Sequence, residues 1–121
     1  MDRKRIEELK KDIVFDAVLR GRAMRFHSTW GLFSPRKVDE GSFLLLKHVA
    51  VADGEETLDW GCGYGVLGLA IAKETPAGTV HLVDKDFVAL EYAEKNARIN
   101  KLRNCRIYQS NGFSDVKGSF D

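Results

Sequence analysis

The chain contains 121 residues, of which 44% are hydrophobic and 31% are charged, a composition typical of one globular domain with a modest core. No apolar run is long enough to span a bilayer, and the charged N-terminus "MDRKRIEELKKD" predicts no secretory signal. Two cysteines and three scattered histidines fit neither a disulfide framework nor a metal site. We therefore expect a cytoplasmic protein with no membrane attachment and no bound metal.

Charge is distributed unevenly along the chain. Residues 1–37 carry ten Lys and Arg against five Asp and Glu, a balance of +5, whereas the whole chain has a net charge of +1. A basic arm of this kind can attract phosphate groups. The alternative is a solvated helix face with ion pairs such as Glu7–Lys11. We expect a single domain over residues 1–121, in which a basic helix and hairpin arm precedes a second part at 38–121.

The arm is predicted to contain a helix followed by a β-hairpin. Residues 2–12 predict the charged helix, and "DIVFDAVL" and "MRFHSTW" predict two strands around "RGRA", with Gly21 in the turn. One face of the hairpin is apolar, with Ile13, Phe15, Ala17 and Leu19 in the first strand and Met24, Phe26 and Trp30 in the second. A loop containing Pro35 follows, and a further helix begins near Asp39, its expected N-cap.

The remaining segments alternate between strand and helix. They are the strand "ETLDWG", the helix "GVLGLAIAKET", the strand "GTVHLVD", the helix "DFVALEYAEKNARINK" and the strand "CRIYQSN". In the second of these helices, the apolar side is predicted to hold Phe87, Leu90, Ala93 and Ala97. The order β-α-β-α-β is the signature of a parallel sheet with right-handed crossover connections.

The segment "LDWGCGYGVLG" places glycines at alternating positions, Gly61, Gly63 and Gly65, between a strand and a helix. Glycines there allow a ligand to lie against the main chain at the start of a helix. Within the segment, "GYGVLG" matches the dinucleotide fingerprint, and Asp84 lies 21 residues after Gly63, where a ribose-binding acid is expected. A dinucleotide-binding module is therefore one alternative, and a tight turn that binds no ligand is another.

Asp59, two positions before the loop, favours a different nucleotide. A dinucleotide pyrophosphate is anionic and would lie close to this carboxylate without compensation. S-adenosylmethionine has no phosphate and carries a sulfonium and an ammonium group. Because opposite charges attract, an acidic residue beside the loop favours the cationic nucleoside.

These motifs resemble those of class I S-adenosylmethionine-dependent methyltransferases. "LDWGCGYGVLG" resembles their first motif, and "VHLVDKD" resembles their second strand. "GLFSPRKVDEGSFLLLKHV" and "SNGFSDVKGSFD" are similar to segments of the small-domain group, which includes guanine-N2 methyltransferases of ribosomal RNA. The resemblance covers about residues 13–121 and implies an α/β fold, the N-terminal half of a Rossmann-like methyltransferase sheet (β-α-β-α-β) preceded by a hairpin and a helix. It makes residues 38–121 the cofactor-binding half.

The resemblance also implies roles for individual residues in binding S-adenosylmethionine. Asp59 would approach the methionine end through water, and Asp84 would accept hydrogen bonds from the ribose hydroxyls. The other expected cofactor contacts are Gly61, Gly63 and Gly65 along the methionine and ribose, Cys62 and Tyr64 with backbone and side-chain surface, Lys85 beside the adenine, Asn111 at the adenine edge, and Phe33 and Gly41 closing the site.

For several of these residues a purely structural interpretation stays open. Asp84 could cap the helix that starts near Asp86, and Asn111 could be a turn residue before Gly112. The two cysteines could be small fillers of the core, and Trp30 and Trp60 could pack rather than stack on a base.

The sequence departs from the family pattern in one respect. Family members hold the amino group of the substrate with an Asn-Pro-Pro-aromatic motif at the end of a fourth strand, whereas Pro35 and Pro76 are the two prolines of this sequence and neither belongs to such a motif. The sequence stops at Asp121, where the fourth strand would begin, so we expect the motif to lie beyond Asp121 and assign no catalytic residue.

A shortened domain of this kind has a consequence for the sheet. Without a fourth strand, the strand "TLDW" becomes a sheet edge with unpaired N–H and C=O groups. The N-terminal hairpin, a second copy of the chain or a partner could cover this edge, and we expect a homo-oligomer.

The resemblance implies N-methylation of a nucleobase, guanine in ribosomal RNA, with RNA as the partner. Two further alternatives remain open. One is a methyltransferase that acts on a protein or a small molecule. The other is a non-catalytic fragment that binds the nucleoside without turnover.

Overall fold

The structure, a computed structural model, describes residues 13–29 and 52–110. Its elements are β1 (Ile13–Leu19), β2 (Arg22–Ser28), β3 (Glu56–Trp60), α1 (Val66–Glu74), β4 (Thr79–Asp84), α2 (Phe87–Ile99) and β5 (Cys105–Gln109). The helices predicted at 2–12 and from Asp39 lie outside the described residues, and so does Asp121, where a fourth parallel strand was expected to begin. Within the described ranges, no helix is long and apolar enough to cross a membrane.

The predicted β-hairpin is confirmed. Strands β1 and β2 pair antiparallel, and Leu19 lies opposite Arg22, so Arg20 and Gly21 form a two-residue turn. Both turn residues have positive φ angles, 51° and 80°, as a type I′ turn requires. On the inner face, the rings of Phe15 and Phe26 lie 5.7 Å apart. The alternating apolar residues of the sequence thus form one packed face of the hairpin.

The second part of the chain forms a parallel sheet in the order β3-β4-β5. Strand β4 is central, and Val80 and Leu82 on it are fully buried. Helix α1 connects β3 to β4 and helix α2 connects β4 to β5, which confirms the predicted β-α-β-α-β order. Strand β3 lies at one edge of the sheet that the described residues form. Self-association through this edge stays a prediction.

Helices α1 and α2 supply most of the core opposite the sheet. Helix α2 buries Ala89, Leu90, Ala93, Asn96 and Ala97. The prediction that Phe87 belongs to this apolar side is wrong, because its side chain is 64% exposed. Phe87 is the first residue of the helix, where the side chain points back beyond the helix end and away from the core.

Candidate functional site

A cavity of about 240 Å³ opens at the carboxyl ends of the three parallel strands. Its lining residues are Trp60, Gly61, Val83, Asp84, Lys85 and Ser110. Open parallel sheets bind ligands at this end, where the strands lead into loops and helix N-termini. Enclosing pockets for small molecules measure roughly 300–1,000 Å³, so the described residues form one part of a site for a nucleoside-sized ligand.

The loop between β3 and α1 has a backbone conformation that favours glycine. Gly61, Gly63 and Gly65 have φ angles of 70°, 56° and 105°, all in the left-handed region. A Cβ added to Gly61 would have no atom of the described residues within 4 Å, so this glycine borders open space on the cavity side. Of the three glycines, Gly61 is the one whose main chain lines the cavity, whereas Gly65 is buried against Leu69 and Ala93.

Asp84, at the end of β4, holds this loop in place. Its Oδ2 accepts a hydrogen bond from the Gly63 N–H at 2.9 Å, and its Oδ1 accepts one from the Asp86 N–H at 2.9 Å. The backbone adds a second attachment, because the Cys62 N–H donates to the Val83 carbonyl at 2.9 Å. Asp84 therefore lies between the loop and the cavity.

The interpretation of Asp84 as the cap of the following helix is wrong. The N-cap of α2 is Asp86, whose side chain accepts the Val88 N–H at 2.9 Å. Asp86 has the extended backbone that an N-cap residue adopts, whereas Asp84 is still the last residue of β4. The carboxylate of Asp84 thus contacts the loop and the N-cap residue of α2, and Asp84 also lines the cavity.

Asp59 serves as the missing cap of helix α1. The N-cap position of α1 is Gly65, which has no side chain to offer. The carboxylate of Asp59, at the end of β3, instead accepts the Gly68 N–H at 2.9 Å, on the third residue of the helix. Asp59, which precedes the glycine loop, is therefore hydrogen-bonded to the N-terminus of α1, which follows the loop.

The environment of Asp59 disfavours its negative charge. The pKa of this carboxyl is raised from 3.8 to about 6: burial is the largest cause, the hydrogen bond from Gly68 opposes it, and the charge of Asp84 adds to it. A cationic group of a ligand next to Asp59 would favour the ionised carboxylate. The two acids thus place two carboxyl groups close together beside the glycine loop.

The side chains of the other predicted cofactor residues differ in whether they are exposed or buried. Lys85 is exposed and lines the cavity, and its carbonyl accepts the Gln109 side-chain amide at 3.1 Å. Cys62 is buried, which raises the pKa of its thiol well above the ordinary range, and its Sγ lies 3.4 Å from the Gly63 carbonyl. The position of Cys62 agrees with the interpretation as a core filler.

The ring of Tyr64 points away from the cavity, into the hairpin. It packs edge-on against Phe15 and Phe26, with ring centroids 6.0 and 6.3 Å away, and the residue is 5% exposed. Tyr64 can therefore contact a ligand in this cavity through its backbone and not through its ring.

The remaining expectations for the site fall on other parts of the chain. Asn111, Phe33 and Gly41 lie outside the described residues. Asp121, beyond which the amine-holding motif was expected, lies outside them as well. The roles of these three residues and the position of that motif therefore stay predictions.

Three residues that line the cavity were absent from the predicted cofactor contacts. Trp60, the last residue of β3, is 46% exposed and lines the cavity. Val83 and Ser110 reach the same cavity from the ends of β4 and β5. Their positions at strand ends were the signal in the sequence, since every parallel strand ends at this edge of the sheet.

In residues 13–29 and 52–110, no three His, Cys, Asp or Glu side chains converge to hold a metal ion.

Comparisons with known proteins agree with this geometry. Residues 23–121 match the family described as the methyltransferase small domain. The uncharacterized protein YbxB of Bacillus subtilis is 40% identical over 99 residues, which cover 81% of this chain and 49% of YbxB. Ribosomal RNA small subunit methyltransferase C of Haemophilus influenzae is 38% identical over 98 residues, 81% of this chain and 29% of that protein. The chain thus spans about half the length of these curated relatives, or less.

A solved structure shows the same fold. The T. thermophilus 16S rRNA N2 G1207 methyltransferase (RsmC), in complex with AdoMet and guanosine, superposes with a TM-score of 0.79 and 29% sequence identity. The match covers 86% of this chain and 29% of that chain. The described residues therefore correspond to one part of a Rossmann-like methyltransferase domain, as the sequence predicted.

Proposed function

Because the chain belongs to the methyltransferase small domain family, whose members depend on S-adenosylmethionine, we propose that it binds this cofactor at the carboxyl ends of β3, β4 and β5. The observation that carries the proposal is the hydrogen bond from Gly63 to Asp84, which fixes bare glycine backbone beside the cavity. In the proposed activity, the bound cofactor serves to methylate a base amine in RNA, specifically guanine in ribosomal RNA.

The residues present fit the chemical character of this cofactor. Gly61 borders open space on the cavity side, so the ligand can lie against its main chain. Each Asp84 oxygen has a second lone pair beyond the backbone N–H that it already accepts, and can therefore also accept a ribose hydroxyl. Lys85 lines the cavity and would flank the adenine, and the adenine-edge contact of Asn111, which lies outside the described residues, is part of the proposal.

Asp59 provides the electrostatic part of the fit. Its carboxylate has a pKa of about 6 in the unliganded protein, so a nearby ammonium or sulfonium stabilises a charge that burial otherwise disfavours. When bound, S-adenosylmethionine supplies the methyl group. The chain's own residues bind the cofactor and orient it, which is the main contribution an enzyme makes to an in-line displacement.

The dinucleotide alternative conflicts with the position of Asp59. A pyrophosphate would bind the free N–H groups at the N-terminus of α1. The Gly68 N–H of that terminus already donates to the Asp59 carboxylate at 2.9 Å. An anion there would lose one donor and meet a negative charge, whereas a cationic ligand gains from the same arrangement.

RNA as the acceptor is supported by the relatives and by charge. The H. influenzae relative is a ribosomal RNA methyltransferase, and the T. thermophilus structure contains guanosine. The balance of +5 over residues 1–37 suits a polyanionic partner. Within the 121 residues we assign no group that holds the substrate amine, because neither Pro35 nor Pro76 belongs to an Asn-Pro-Pro motif.

Calorimetry tests the proposal, with S-adenosylhomocysteine, S-adenosylmethionine and NAD titrated separately into the chain. We expect both sulfur nucleosides to bind and NAD not to saturate the site. A methyl-transfer assay with ribosomal subunits, deproteinised ribosomal RNA and a protein panel then identifies the acceptor. Binding without transfer to any acceptor would favour the non-catalytic alternative, and transfer to protein would favour the other acceptor class. Saturation by NAD alone would overturn the assignment.

A further inference from the structure

Asn96, in the middle of helix α2, lies completely buried between the hairpin and the glycine loop, with an exposed fraction of 0%. Its Oδ1 accepts the His27 N–H at 2.6 Å, and its Nδ2 donates to the His27 carbonyl at 2.9 Å. The same Nδ2 also donates to the Tyr64 carbonyl at 2.8 Å. One amide group thereby connects β2, α2 and the loop.

We infer that Asn96 is a positioning residue for the S-adenosylmethionine site. It does not line the cavity, and it acts on the face of the loop that Asp84 does not reach. Asp84 holds the loop at the Gly63 N–H, and Asn96 holds it one residue later at the Tyr64 carbonyl. These two attachments hold the loop at Gly63 and Tyr64, directly after Gly61, whose main chain lines the cavity. The inference rests on the proposed function.

An amide is the side chain that suits this position. The three buried backbone groups require one acceptor and two donors, which asparagine provides in one planar group. An aspartate would offer acceptors only and would bring a charge into the core, so both carbonyls would lose their donor. A leucine would remove all three of these hydrogen bonds.

Asn100, four residues later at the C-cap of α2, provides a matched control. Its Oδ1 accepts the Arg25 N–H at 3.0 Å, and its Nδ2 donates to the Arg25 carbonyl at 2.7 Å. Asn96 and Asn100 thus bind the same edge of β2 in the same way. Asn100 has no hydrogen bond to the glycine loop, and its second Nδ2 bond goes to the Asn96 carbonyl at 2.8 Å. A comparison of the two positions therefore separates loop positioning from hairpin attachment.

The test measures S-adenosylhomocysteine affinity by calorimetry for the 121-residue chain and for Asn96→Asp and Asn100→Asp, at a temperature where circular dichroism shows each variant folded. We expect Asn96→Asp to weaken binding at least tenfold and Asn100→Asp less than twofold, although both lower the melting temperature. Equal losses in the two variants, or no loss in either, would overturn the inference.

A second measurement on the unsubstituted chain keeps the inference testable if Asn96→Asp does not fold. In a ¹⁵N-resolved NMR titration with S-adenosylhomocysteine, the Asn96 side-chain amide signals should shift or gain exchange protection, while those of Asn100 stay unchanged. An unresponsive Asn96 signal during saturable binding would overturn the positioning role and leave the proposed function intact. Failure of the unsubstituted chain to bind would instead overturn both.

Discussion

The carboxylate of Asp84 accepts the backbone N–H of Gly63, 21 residues earlier in the chain, at 2.9 Å. The spacing that resembles a nucleotide fingerprint is therefore also a structural attachment, which joins the end of β4 to the loop after β3. Because the second oxygen of Asp84 accepts the Asp86 N–H, the same side chain shapes the turn into α2. Loop conformation and ligand binding consequently depend on one residue.

This double role predicts the effect of Asp84→Ala. Loss of the ribose contacts and of the Gly63 attachment should weaken S-adenosylhomocysteine binding by about 1–3 kcal/mol, because hydrogen bonds to a charged group are of this size. Asp86→Ala is the matched control, since it removes the cap bond to Val88 and leaves Asp84 in place. Asp86→Ala should reduce the free energy of unfolding by about 1 kcal/mol with binding almost unchanged. Calorimetry and urea unfolding of both variants check the pair; equal affinities for Asp84→Ala and the unsubstituted chain would contradict the role of Asp84.

The fold was predictable from the sequence where local signals agree with tertiary packing. The hairpin alternation around Gly21, and the order of strands and helices after residue 55, appear in the structure with bounds that differ by at most two residues. Phe87 was wrongly predicted to be buried. Its hydropathy shows that it can be buried, but its position at the first residue of the helix leaves it exposed.

The candidate site was only partly predictable. The glycine spacing and Asp84 identified the loop and its partner strand, because both signals are local in sequence. The cap that Asp59 provides for Gly68 and the three bonds of Asn96 were not predictable, since each connects distant elements. A polar residue on an otherwise apolar helix face was the one signal for Asn96, and such a residue usually indicates an exposed edge rather than a buried attachment.

Asp59 lowers the stability of the folded chain at neutral pH. Its pKa is about 6 in the folded state, against 3.8 for an ordinary aspartate, so between about pH 4 and 6 the folded state binds more protons than the unfolded state. The free energy of unfolding should therefore fall as pH rises from about 4 to 6, by about 3 kcal/mol for a shift of this size. Asp59→Asn keeps an acceptor for Gly68 and removes the charge. We expect it to raise the free energy of unfolding by about 1–3 kcal/mol at pH 7.5 and to have little effect at pH 4. Urea unfolding of both proteins at the two pH values measures this difference, and a destabilised Asp59→Asn at pH 7.5 would contradict it.

The same carboxyl predicts how cofactor binding depends on pH. A cationic ligand group favours ionised Asp59, so binding should be coupled to loss of one proton below a pH of about 6. Affinity for S-adenosylmethionine should rise by up to about tenfold per pH unit between pH 5 and 6 and become constant above about pH 7. Asp84 is the other acid whose charge acts on Asp59, so Asp59→Asn is the necessary control. Calorimetry across pH 5–8 should show a much flatter profile for Asp59→Asn, and identical profiles would assign the dependence to another group.

Because open space lies beside Gly61, we expect a methyl group there to reduce ligand affinity more than it reduces the stability of the fold. Gly61 and Gly21 have similar positive φ angles, 70° and 80°, and an added Cβ at either would have no described atom within 4 Å. Alanine at either position should therefore cost about 1–2 kcal/mol of backbone strain. Gly61 borders the cavity, whereas Gly21 lies in the hairpin turn. We expect Gly61→Ala to weaken S-adenosylhomocysteine binding at least tenfold and Gly21→Ala to leave it within twofold, with similar losses in melting temperature. Calorimetry and thermal unfolding of the two variants measure both quantities, and equal affinities would mean that the ligand does not approach the Gly61 backbone.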